Sequence, residues 1–235
     1  MEPSRNQVGE MFNTISPSYD RINRILSLGR DASWRRKMID HLPYKEGLHL
    51  LDLATGTGDQ LYTIMDRCPY IERGIGLDIA EEMLKIGKDK LEKKPYKERV
   101  LMALGSAMEI PLEDNSVDVV TISFGVRNFL DLDKGLKEML RVLKPGGKVL
   151  ILEFSLPRRA LTKSMHLLYI RHLLPRIGGL LSKDKEAYTY LNKTIETFPY
   201  GPKFCKLLRE IGYQTVSMHP MMMGAVTLYV GEKSV

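Results

Sequence analysis

Residues 48–59 read Leu-His-Leu-Leu-Asp-Leu-Ala-Thr-Gly-Thr-Gly-Asp. A short apolar run broken by a Thr/Gly cluster reads as a buried strand entering a tight turn. Gly56 and Gly58 lack a Cβ, so the backbone there can come close to a ligand, and the helix that follows offers its N-terminus. The pattern returns at Gly74–Ile79 (GIGLDI), where an acid, Asp78, ends a second strand 20 residues after Gly58. A carboxylate in that place can take both hydroxyls of a ribose. Strand, glycine turn, helix, strand and acid, in this order, describe a nucleoside site. The dinucleotide fingerprint asks for a third glycine three residues further on, and that position is Leu61. With no pyrophosphate cradle, NAD fits poorly.

Outward from this centre the rhythm continues. Met83, Leu84 and Leu91 recur at helical spacing among Lys and Glu, and the runs Arg99–Leu104, Val117–Ser123 and Lys148–Phe154 are apolar and partly β-branched. A helix-like stretch at 133–143 is closed by Lys144-Pro-Gly-Gly147, a turn signal. Alternating strands and helices indicate a parallel sheet covered on both faces. At the end of the chain, Gln214–His219 and Ala225–Gly231 are separated by too few residues for a crossover, so they form an antiparallel hairpin. One stretch breaks the pattern. Leu156–Lys183 contains no acid, and its bases (Arg158, Arg159, Lys163, Arg171, Arg176, Lys183) are interleaved with Leu161, Met165, Leu168 and Tyr169. It reads as a basic amphipathic insertion after the fifth strand. The first 45 residues read as a polar helical segment with the sole tryptophan, Trp34, near its end.

The 235 residues suffice for a real core within a single domain, and 43% hydrophobic with 27% charged residues excludes disorder and repeat fibres. Cys68 and Cys205 are too few for a disulfide framework and read as reduced intracellular thiols, and no Cys/His cluster has metal-ligand spacing, so no metal is expected. The N-terminus has no apolar core of a secretory signal, and no run approaches the length of a spanning helix. A net charge of +6 points to an acidic partner, which nucleic acid, an anionic membrane or a phosphorylated ligand would each satisfy.

An acid opening the loop (Asp52), the Gly-x-Gly turn and the terminal hairpin resemble the S-adenosylmethionine-dependent methyltransferases of the seven-stranded, Rossmann-like class I fold. The flanks narrow this. Tyr19–Arg35 (YDRINRILSLGRDASWR), Ser123–Phe129 (SFGVRNF), Arg141–Gly147 (RVLKPGG) followed by Leu152–Ser155 (LEFS), and Thr189–Pro199 (TYLNKTIETFP) resemble the demethylmenaquinone and ubiquinone C-methyltransferases (the UbiE/MenG type) over nearly the whole chain. The resemblance implies S-adenosyl-L-methionine as cofactor, contacted by Asp52, Gly56, Thr57, Gly58, Asp78, Ile79, Ser106, Ala107 and Ser123. It places Arg127 and Asn128 at the quinol as catalytic residues, and Tyr19, Asn23 and Trp34 in a cover over the acceptor pocket. It implies a lipid-tailed quinol substrate, either demethylmenaquinol or its benzoquinol counterpart. The chain departs from the family at Asp31, often His, at Thr55, often Gly, at Ser106, commonly Asp or Asn, and in the run Met221-Met222-Met223.

The acceptor in such a reaction is a ring carbon beside a phenolic hydroxyl. Losing that proton pushes electron density onto the carbon, so a cation at Arg127, stabilising the developing phenolate, with Asn128 positioning it, suits the chemistry better than a base. His166, His172 and His219 sit in no recognisable constellation and read as ordinary histidines. The competing reading is a nucleic-acid methyltransferase. The sequence after the fourth strand, SFGVRN, lacks the Asn-Pro-Pro-aromatic motif used on exocyclic amines, and neither cysteine is placed for cytosine methylation. The expectation is therefore no nucleic-acid partner and a cytoplasmic chain, peripheral at the inner face of the membrane through its basic insertion. The alternative for that insertion is a lid packed on its own domain or on a partner subunit such as a second copy in a homodimer.

Overall fold

The computed structural model describes residues 8–173 and 185–235; residues 174–183 of the expected insertion and the first seven residues of the expected cover lie outside them. The cover is formed by three short helices, α1 (Val8–Ile15), α2 (Tyr19–Leu26) and α3 (Asp31–Lys37). The alternating core follows as β1 (Leu48–Leu53), α4 (Asp59–Met65), β2 (Ile71–Asp78), α5 (Glu81–Leu91), β3 (Val100–Leu104), β4 (Val117–Ser123), α6 (Leu132–Val142) and β5 (Leu143–Phe154). Then come α7 (Ala160–Leu168) with a π-helical turn at Tyr169–Leu173, α8 (Lys185–Thr197), α9 (Pro202–Ile211), β6 (Gln214–Met221) and β7 (Val226–Glu232).

Seven strands form one sheet in the order β3-β2-β1-β4-β5-β7-β6. β1 to β5 are parallel neighbours, while β7 runs antiparallel to both β5 and β6, as the terminal hairpin required. Successive strand side chains point to opposite faces, and here both faces are covered. Leu51 and Leu53 of β1 and Val149 and Ile151 of β5 pack with Leu136, Met139, Phe204 and Leu208 of α6 and α9. Leu50, Leu150 and Leu152 turn the other way, onto Leu61, Ile64 and Leu84 of α4 and α5 and onto Trp34 and Met38. That two-sided burial is why the strand sequences read as continuous apolar runs.

One boundary differs from the sequence reading. β5 begins at Leu143, not Lys148, because Lys144-Pro-Gly-Gly147 is a bulge within the strand: Gly146 has φ +74°, and a Cβ on Gly147 would stand 2.8 Å from the Lys144 carbonyl. The absent third glycine of the turn also finds its explanation. Leu61 fills the space between α4 and the sheet, and β2 makes room for it with Gly74 and Gly76, where a Cβ would meet Leu61 at 3.1 Å in each case. Because β1 and β4 are neighbours while the chain winds outward from both, a crevice opens beyond their carboxyl ends, the usual place for a ligand in such sheets.

Candidate active site

The turn after β1 is held in a left-handed backbone at Ala54 (φ +47°), Gly56 (φ +56°) and Gly58 (φ +84°). Beneath it Asp52 is buried and accepts hydrogen bonds from the Thr55 hydroxyl (2.7 Å) and the Thr121 hydroxyl (2.6 Å). Burial pushes its carboxyl up to about 6, against the pull of those two hydroxyls. Asp52 therefore braces the turn from below. A Cβ on Gly56 would meet nothing within 4 Å, so the turn faces open space there, and the Gly56 N–H donates to Asp78 Oδ2 (2.7 Å). The Ala80 N–H donates to Asp78 Oδ1 (2.8 Å). Two backbone donors thus fix the carboxylate of Asp78, and each oxygen keeps a lone pair for a further donor. Burial raises the Asp78 pKa, and those N–H groups oppose it.

The open space is a cleft of about 120 Å³ whose lining includes Gly56, Asp78, Ile79, Ser106, Ala107 and Ser123. These are six of the nine residues expected to contact a cofactor, from the ends of four strands. Ile79 is 50% exposed, an apolar face set directly after the ribose-type acid. Ser123 donates from its hydroxyl to Gln60 Oε1 (2.9 Å). Asp52, Gly58 and Thr57 do not line the cleft. Thr57 is buried, and its hydroxyl donates to Asp20 Oδ1 (2.6 Å) of the cover. A carboxylate aimed by two amides, a glycine with space before it, and apolar surface beside both suit an adenosyl group.

A second, larger cavity of about 350 Å³ adjoins the first, and all five residues expected at the acceptor, Tyr19, Asn23, Trp34, Arg127 and Asn128, line it. Its inner wall is aromatic: Phe124 lies 6.1 Å from Trp34 and 4.6 Å from Phe154, centroid to centroid. A guanidinium stands over two of these rings, Arg35 at 5.9 Å from the Phe124 centroid and Arg127 at 5.4 Å from that of Phe154. Neither cation is left uncompensated. Asp31 accepts from Arg35 Nη1 (2.7 Å) and from Ser27 (2.9 Å), so the departure from histidine at position 31 supplies Arg35 with its counter-charge. Glu153, fully buried, accepts from Arg127 Nη1 (2.9 Å) and from the Phe154 N–H (2.7 Å); Arg127 also donates to the Phe124 carbonyl. Burial raises the Glu153 pKa, and Arg127 opposes it. Arg127 Nε and Asn128 Oδ1 are buried with no hydrogen-bond partner among the described residues.

Phe12, Tyr19, Phe124 and Asn128 line both the cleft and the cavity, so the two spaces meet at these four side chains. Burial raises the Tyr19 pKa at this junction, opposed by a hydrogen bond with Asn23. Sequence reasoning passed over Phe12, Arg35, Phe124 and Glu153. In the sequence Glu153 is one residue of a strand, and an acid in a run of buried strand residues is itself a signal that a cation must meet it. Phe124 carried no local signal: its φ of +59°, uncommon outside glycine, is what turns the ring into the cavity. Of the histidines, His166 lines the cavity wall, and burial lowers its pKa.

The chain is 43% identical over 227 residues to the ubiquinone/menaquinone biosynthesis C-methyltransferase UbiE of Geotalea daltonii, covering 97% of this chain and 96% of that one. It is 42% identical over 229 residues to the demethylmenaquinone methyltransferase of Bacteroides fragilis, covering 97% and 92%. The fold matches a solved S-adenosylmethionine-dependent methyltransferase of Thermotoga maritima with a TM-score of 0.66 at 16% identity, over 96% of this chain and 99% of that one. A model of the ubiE/COQ5 methyltransferase family matches residues 1–233. Sheet order, glycine turn and near-complete coverage coincide, and the chain belongs to the ubiE/COQ5 methyltransferase family.

Proposed function

We propose that the chain methylates a ring carbon of a reduced, prenylated quinone in menaquinone or ubiquinone biosynthesis, with S-adenosylmethionine as methyl donor. The observation that carries this reading is the meeting of a small cleft suited to an adenosyl group with a larger aromatic cavity, at Phe12, Tyr19, Phe124 and Asn128. S-adenosylmethionine supplies an electrophilic methyl group on a sulfonium. Such a displacement disperses charge, so the protein's tasks are alignment and exclusion of water. Asp78 holds the ribose, Ile79 and Ala107 flank the base, and Gly56 leaves the backbone clear of the ligand. Phe124 and Trp34 stack against the quinol ring, and Arg127 stabilises the negative charge that develops as the ring hydroxyl loses its proton. The Arg127 guanidinium is fixed by Glu153 and the Phe124 carbonyl before substrate arrives, which preorganises it.

The cavity mouth supports a membrane-facing orientation. Leu28 is 80% exposed and Met223 78%, and both line the cavity. Leu161, Met165 and Leu168 of α7 are also exposed, beside the exposed Arg158 and Arg159. An apolar rim flanked by bases fits the surface of an anionic bilayer, where a lipid-tailed quinol resides. No helix among the described residues is long and apolar enough to cross a membrane.

The test is a transfer assay with labelled S-adenosylmethionine, offering demethylmenaquinol and its benzoquinol counterpart, each reduced and oxidised, with bulk tRNA alongside. Label on a quinol and none on its oxidised form is the expected result. Label on tRNA alone would overturn the reading.

A further inference from the structure

One charged cluster touches neither cavity yet ties together the parts that build both. Lys90 of α5 donates to Asp20 Oδ2 (2.5 Å), to the Thr57 hydroxyl (3.0 Å) and to Asp59 Oδ1 (2.8 Å), and Thr57 donates to Asp20 Oδ1 (2.6 Å). Asp20 belongs to the cover, Thr57 and Asp59 to the glycine turn and the start of α4, and Lys90 to the helix after the ribose-type acid. The side chains of Asp20 and Lys90 are 36% and 32% exposed, so the pair is half withdrawn from solvent.

Tyr19 is the residue before Asp20, and its ring stands at the junction of the two spaces. The cover supplies Val8, Phe12 and Tyr19 to the cofactor cleft. It also supplies Met11, Ile15, Ile22 and Asn23 to the acceptor cavity. The cover therefore contributes walls to both spaces, and with the cover displaced each would lack one. A second, weaker tether, the Asn13 side chain accepting from the Glu82 N–H (3.0 Å), holds the other end of the cover.

We propose that Asp20 and Lys90 are positioning residues that couple the two sites: by fastening the cover onto the glycine turn they make closure over the cofactor the event that completes the acceptor cavity. Cofactor and acceptor then each tighten the other by the same factor, because linkage is reciprocal. This rests on the activity proposed above, and it assigns to the cluster a role that neither cavity's lining requires.

The experiment is a binding cycle by titration calorimetry on the full chain, with S-adenosylhomocysteine as the cofactor probe and a short-tailed naphthoquinol kept reduced as the acceptor probe. In the wild type each probe is expected to lower the other's Kd about tenfold. In Asp20→Asn and in Lys90→Met the coupling is expected to fall to within about twofold of unity, with the unfolding temperature unchanged to within a few degrees. Lys90→Arg is expected to keep the coupling, and loss of coupling in the two neutral variants with each probe's separate Kd unchanged is the result a merely structural role would not produce. Wild-type binding of both probes without coupling, or full coupling retained in Asp20→Asn, would overturn the inference and leave the proposed activity standing. Failure of the wild type to bind S-adenosylhomocysteine at all would overturn both.

Discussion

At the scale of single residues the proposed function turns on Arg127, and its neighbour Glu153 changes what a substitution means. Breaking a buried ion pair from one side leaves the other charge stranded, at a cost of about 3–5 kcal/mol. Arg127→Ala is therefore expected to lower the unfolding temperature as well as abolish methyl transfer. Arg127→Met with Glu153→Leu removes both charges and is expected to recover most of the stability and none of the activity; thermal unfolding followed by the transfer assay separates the two effects. A second residue-scale expectation concerns Asp52. Its folded carboxyl titrates at about 6, above the ordinary 3.8, so the native state holds a proton that the unfolded chain has released. Stability from this group is fully present below about pH 4 and declines as pH rises to about 6, by about 2–3 kcal/mol over that window. Asp52→Asn, which has no proton to lose, is expected to gain on the wild type by that order between pH 4.5 and 7 in denaturant titrations.

Among the elements, the turn between β1 and α4 is the least forgiving. A Cβ on Gly58 would stand 2.4 Å from the Tyr62 ring, and the ring cannot retreat because its hydroxyl donates to the Gly87 carbonyl (2.8 Å). With φ at +84° the backbone is also wrong for any other residue. Gly58→Ala is expected to cost more than about 2 kcal/mol and to weaken S-adenosylhomocysteine binding, read by denaturation and by titration. How much of this was legible beforehand follows from what each element depends on. β1, β2, β4, the hairpin of β6 and β7 and the acid that ends β2 are readable because apolar runs, glycines and short connections are local facts. The start of β5 was not, because Lys144-Pro-Gly-Gly147 looks like a terminator, and only pairing with β4 makes it a bulge. Thr57 was assigned to the cofactor from its place in the turn, whereas its hydroxyl turns back to Asp20, 37 residues earlier, a partnership no local pattern encodes.

For the molecule as a whole, the net charge of +6 takes on a direction. The exposed leucines of α7, Leu161 at 75% and Leu168 at 63%, do not line the cavity, so they can be altered without touching the site. The wild type is expected to float with vesicles containing phosphatidylglycerol, and to do so less as salt rises past about 0.15 M. Leu161→Glu with Leu168→Glu is expected to reduce that partition about tenfold or more while leaving turnover of a short-tailed quinol in detergent-free buffer unchanged. Equal flotation of the double variant would remove α7 from the contact.

The four side chains shared by the two spaces also set a constraint on descent. Under the proposed function, a change at Phe12, Tyr19, Phe124 or Asn128 would alter the seat of the methyl donor and that of the acceptor together, so neither preference could drift alone at that junction. Variation in which ring or tail is accepted is left to walls that only the larger space owns. Met222 and Met223, held at φ +48° and +56° in the turn of the terminal hairpin, are such walls. Substitutions at this rim are thus expected to change which acceptor is taken while S-adenosylhomocysteine binding stays fixed.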